Sequence, residues 1–149
     1  MAEVTLLLDT NILWQIQLCE RLTEKIRSGH IVVYIPTVVH AERIRQVANH
    51  YNSRFSIDVV RQFIGDRQFE LLPLSVAHAE AIATLWLELK ESGADTNYWH
   101  QHRFDILLCA IARSTGYTLV VEDRGSHFKS VPARISVAGL DTLIASLPV

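Results

Sequence analysis

The sequence predicts an α/β fold: a three-layer α/β/α sandwich around a central parallel sheet. Three observations predict it. Short β-branched or apolar runs alternate with longer stretches of helical period, as a parallel sheet with crossover helices requires. The first run, Val4–Leu8, is apolar almost throughout, as expected for a strand covered on both faces. The length of 149 residues, with 49% apolar and 20% charged residues, suits one domain with a sizeable core. A single domain spanning residues 1–149 is therefore expected.

Each element has its own signal. Val4–Leu8 ends at Asp9, and Asn11 is a candidate N-cap for a helix carrying Ile12, Ile16, Cys19, Leu22 and Ile26, which stops near Gly29. Ile31–Ile35 is a second β-branched run, followed by Pro36 and a helical stretch through Val38, Ile44, Val47, Ala48 and Tyr51. Ile57–Ile64 predicts a further short helix. Phe69–Leu74 reads as a strand whose Pro73 places it at an edge or terminus. Ser75 caps a helix striped by Val76, Ala79, Ile82, Ala83, Trp86 and Leu89, ending at Gly93. Glu91–Arg103 shows no period and reads as a loop. Asp105–Thr115 reads as a helix closed by Gly116, Thr118–Val121 as a strand and Arg124–Val131 as a loop. Ile135–Val137 is expected to be a last strand and Gly139–Leu147 a last helix.

Composition narrows function. Fourteen Lys and Arg against 16 Asp and Glu give a formal charge of −2, so bulk attraction to nucleic acid or anionic lipid is not expected. A phosphate-bearing partner would need a local basic patch or a bound cation. Arg43, Arg45, Arg103, Arg113, Arg124 and Lys129 are candidates for such a patch, with scatter over the surface as the alternative. The two cysteines form no C-x-x-C pair, and no apolar run approaches the roughly 20 residues of a membrane span. With no basic leader ahead of Glu3, the expected location is the cytoplasm.

The chemistry lies in carboxylates. Asp9 sits just past the first strand and Asp123 just past the fourth, at the carboxyl ends where open parallel sheets build their crevices. Glu42 falls about one and a half turns into the second helix, and Asp105 at the start of the helix leading into the fourth strand. Singly, each acid has an ordinary alternative: a cap for Asp9 or Asp105, a turn for Asp123, a solvated helix position for Glu42. Together in one crevice they would repel one another, and a divalent cation removes that conflict. An all-oxygen donor set suits Mg²⁺ or Mn²⁺. His100, His102 and Asp105 suggest zinc only weakly, being spaced in a polar segment. That segment, with Tyr98, Trp99 and Arg103, offers either an RNA-stacking surface or core packing through Trp99 and Phe104. Trp14 and Trp86 read as core or dimer contacts.

The strings L-L-L-D-T-N-I-L at Leu6–Leu13, T-V-V-H-A-E-R around Glu42, and F-D-I-L-L-C-A-I-A-R-S-T-G-Y-T-L-V-V-E-D from Phe104 to Asp123 resemble the PIN-domain nucleases. The resemblance implies cleavage of RNA phosphodiester bonds with Mg²⁺ or Mn²⁺, held by Asp9, Glu42, Asp105 and Asp123, with Glu122 as a neighbouring rival for the fourth acid. It gives Asn11 an orienting role, and Ser126 is a candidate hydroxyl donor. Among small members it points to VapC-type toxin ribonucleases, usually dimers blocked by a cognate antitoxin. Two alternatives stand beside it. One is a non-catalytic PIN-like binding or assembly module. The other is a phosphoryl-transfer domain with Asp9 as nucleophile, against which no D-x-D pair follows the first strand.

Overall fold

Leu6, Leu7 and Leu8, all fully buried, make Val4–Leu8 (β1) the middle of the sheet. The structure, a computed structural model, describes residues 3–51, 54–121 and 134–148. Among them, β1 is joined by Ile31–Pro36 (β2), Glu70–Leu72 (β3), Thr118–Val121 (β4) and Arg134–Ser136 (β5). The order is β3-β2-β1-β4-β5, and every pairing is parallel, with Leu6 opposite Val33 and Leu7 opposite Leu119. Pro73 follows β3 on the sheet edge, where a missing N–H costs no ladder bond.

Among the described residues six α-helices connect and cover these strands: Ile16–Arg27 (α1), Thr37–Tyr51 (α2), Ser56–Asp66 (α3), Val76–Glu91 (α4), Thr96–Thr115 (α5) and Val137–Ser146 (α6). The chain steps outward from β1 to β2 to β3, then returns across the sheet to β4. That return lets the crossover helices cover both faces of the sheet. Three layers result, with α1 packed on β2 and α6, and α5 packed on β4 and α4. No helix among the described residues is long and apolar enough to cross a membrane.

Three expectations are corrected. The first helix does not run from an Asn11 cap through Ile12 and Ile16. Thr10–Trp14 is a separate 3₁₀ helix capped by Asp9, and Gln15 (φ −89°, ψ 81°) breaks it from α1. Ile12 is fully buried while Ile16 is exposed, so the two never shared a stripe. Glu91–Arg103 is not a loop. Gly93 (φ +100°) lets α4 stop, with Ala94 N–H reaching back to Leu89 O, and Asp95 then caps α5 through Tyr98 N–H at 2.9 Å. Its first turns carry aromatic and histidine side chains, so no aliphatic period marks them: Tyr98 leans on His102, and Trp99 meets Trp86 edge to face at 5.1 Å. As a consequence Asp105 lies mid-helix rather than at a helix start. The expected loop Arg124–Val131 lies outside the described residues.

Candidate functional site

A parallel sheet leaves a crevice at its carboxyl edge where the chain reverses direction, and here that point lies between β1 and β4. Asp9 occupies it. Its N–H donates to Val120 O at 3.3 Å, anchoring the end of β1 to β4. Extended backbone (φ −73°, ψ 157°) lets it cap the 3₁₀ helix, and its Oδ1 accepts the N–H of Thr10 at 2.7 Å. The residue is only 7% exposed.

Thr10, 2% exposed, joins Asp9 to the second acid. Its hydroxyl donates to Oε2 of half-buried Glu42, on the second turn of α2. One residue thus donates to both carboxylates, with its backbone to Asp9 and its side chain to Glu42. Thr10 is neutral, so neither formal charge is cancelled by it. Sequence reading passed over Thr10 in favour of Asn11, which is exposed and does not cap. No local pattern marks Thr10, because its partner Glu42 lies 32 residues away.

The remaining candidates separate into three groups. Asp105 is half-buried on α5, immediately before the buried run from Ile106, and α5 packs against α2, the helix of Glu42. Arg103 is exposed, with its guanidinium 5.6 Å from the Phe104 ring. Asp123, its rival Glu122, Arg124 and Ser126 lie outside the described residues. Among the described residues no three His, Cys, Asp or Glu side chains close on one point as a metal cage. That holds for Asp9, Glu42 and Asp105 and for His100, His102 and Asp105 alike. The donor chemistry of the Asp9–Glu42 pair, two carboxylates linked through Thr10 at the carboxyl end of the central strand, nevertheless suits a hard divalent cation.

Arg43 departs from its expected place in a surface patch. It is 9% exposed, its guanidinium lies 3.4 Å from the centroid of the Trp14 ring, and burial lowers its pKa. Trp14 in turn is 43% exposed and is not a core residue. Cys19 and Cys109 are buried and not disulfide-bonded; burial pushes the Cys19 thiol up to about 11, which makes it a poor nucleophile at neutral pH.

The PIN domain profile matches residues 6–133. The chain belongs to the PIN-domain family. PIN domains are in general nucleases, and the carboxyl end of β1 from Leu6, the Asp9–Thr10–Glu42 link and α5 all fall within the matched region. Two solved structures share the fold. The VapBC of Salmonella typhimurium, solved bound to DNA, aligns with a TM-score of 0.65 at 19% identity, over 89% of this chain and 98% of that one. VapBC2 of Rickettsia felis, bound to a DNA fragment from its promoter, aligns with a TM-score of 0.58 at 19% identity, over 89% of this chain and 97% of that one. No curated protein matches the chain at significant sequence similarity.

Proposed function

We propose that the chain is a metal-dependent endoribonuclease, formed as one PIN-like domain over residues 1–149 and acting as the toxin of a toxin–antitoxin pair. The observation that carries this reading is the Asp9–Thr10–Glu42 link at the carboxyl end of the central strand of a PIN fold. Asp9 and Glu42 would hold Mg²⁺ or Mn²⁺ together with Asp105 and Asp123. When bound, such an ion supplies positive charge for the phosphodiester oxygens and acidifies attacking water.

The protein's part is to orient and to move protons. Thr10 holds one oxygen of each of Asp9 and Glu42, which fixes how the two carboxylates face the crevice. A carboxylate of the set accepts the proton of the attacking water, and Asn11 orients that water or a carboxylate. Arg103, Arg124 and Ser126 contact the RNA backbone. The buried thiols of Cys19 and Cys109 take no part. Likeness to the two VapBC structures supports a protein antitoxin as partner, and a homodimer in the cytoplasm completes the reading.

The test is to incubate the protein with total cellular RNA and Mn²⁺ and to map new 5′ ends by sequencing. New ends confined to a few sites, absent with EDTA and absent for Asp9→Asn, support the nuclease. Identical end maps for wild type and Asp9→Asn contradict it and favour the non-catalytic binding module.

A further inference from the structure

The 3₁₀ helix that carries Asp9 and Thr10 is five residues long, at the upper end of what this weakly bonded helix sustains by itself. It needs tertiary support, and three contacts with α2 provide it along one seam. At one end the Thr10 hydroxyl donates to Glu42. Four residues further along each element, Trp14 Nε1–H donates to Gln46 Oε1 at 3.1 Å. Between them the Trp14 ring covers the Arg43 guanidinium at 3.4 Å. Arg43 is a buried cation whose Nη1 has no hydrogen-bond partner among the described residues, so the indole face is a main source of compensation for it. On the opposite side, Cys19 Sγ–H points to Ile12 O at 3.6 Å and ties the same turn to α1.

We propose that Trp14 is a positioning residue for the acid pair: it locks the 3₁₀ helix onto α2 and thereby fixes the separation of Asp9 and Glu42. This rests on the metal-binding reading above. The geometry is direct. Asp9 is the N-cap of the 3₁₀ helix and Glu42 lies on α2, so any slip between the two elements moves one carboxylate against the other. Trp14 is exposed on its outer face, so it serves the seam rather than the core. Trp14 and Gln46 belong to neither acid motif, which is why the acid pattern alone does not reveal them.

The test compares wild type, Trp14→Ala, Trp14→Phe and Gln46→Ala in the full chain. Two readouts are used: Mn²⁺ affinity by calorimetry, and amide hydrogen exchange without metal. Trp14→Ala should weaken Mn²⁺ binding about 10-fold, the size typical of removing a residue that orients a metal ligand. Trp14→Phe keeps an aromatic face over Arg43 and should lose clearly less. Exchange at the Ile12 and Gln15 amides, which bond to Asp9 O and Ile12 O, should accelerate in the same order while the amides of β4 stay protected. Should Trp14→Ala not fold, Trp14→Phe and Gln46→Ala carry the comparison. Faster exchange with unchanged Mn²⁺ affinity overturns the positioning role, and unchanged exchange overturns the seam itself. A wild type that binds no Mn²⁺ overturns the metal site and the positioning role together, and the exchange data then show separately whether the seam exists.

Discussion

Two helix seams in this molecule use the same kinds of contact to different ends. Between α4 and α5, Trp86 meets Trp99 beside a cleft of about 340 Å³, and Glu88 forms a two-pronged pair with Arg113 at 2.9 and 3.1 Å. Between the 3₁₀ helix and α2, Trp14 covers Arg43 and Glu42 takes a hydroxyl from Thr10. In the first seam the arginine is spent on the acid. In the second the arginine is turned to the indole, and the acid is held by a neutral donor. An acid answered by a guanidinium is a structural contact on a protein surface. An acid that takes its hydrogen bond from a neutral hydroxyl keeps its full formal charge, which is what the proposed cation site requires.

The largest effect expected is on folding and separates the second seam from the core beneath it. Ile12→Ala, at a fully buried position of the 3₁₀ helix, should destabilise the protein by about 2–5 kcal/mol in urea unfolding. A much smaller loss would mean that this turn is not packed as described. Thr10→Val comes next. It keeps the side-chain volume but removes the hydroxyl, and Mn²⁺ affinity should fall about 10-fold with the fold retained. Unchanged affinity would show that Glu42 needs no orienting donor.

Glu88→Gln should have the smallest effect, because the pair is exposed. The hydrogen bond from Arg113 holds the Glu88 carboxyl below its ordinary value. Its stabilisation is therefore complete above the ordinary glutamate range and is lost as pH falls through the lower folded value. Thermal melts across acidic pH should show that dependence in wild type, less of it in Glu88→Gln, and no change in Mn²⁺ binding for the variant. A change in Mn²⁺ binding would erase the contrast between the seams.

How legible each region was follows from its chemistry. β1 and β4 could be read directly, because a strand buried on both faces leaves a continuous apolar run bounded by polar residues. The places of Asp9 and Glu42 followed from strand ends and helix counting. Thr10 and Trp14 did not, because their roles depend on a pairing across 32 residues that no local pattern encodes. The start of α5 was hidden for another reason: its inward side chains are Tyr98, Trp99 and His102, which break the aliphatic stripe although Asp95 supplies a regular cap. The early break at Gln15 was obscured by Ile12 and Ile16, spaced for a single helix but lying in two elements.

The measurement that bears most directly on the central claim is Mn²⁺ calorimetry on wild type, Asp9→Asn and Glu42→Gln, with folding of each variant confirmed by circular dichroism. The two acids are 33 positions apart in the chain and are linked through Thr10. Saturable binding in wild type, weakened by about 100-fold or more in each variant, is the result expected if both hold one cation. Wild-type binding that survives in either variant, or no binding in wild type, would contradict a metal site built on this pair.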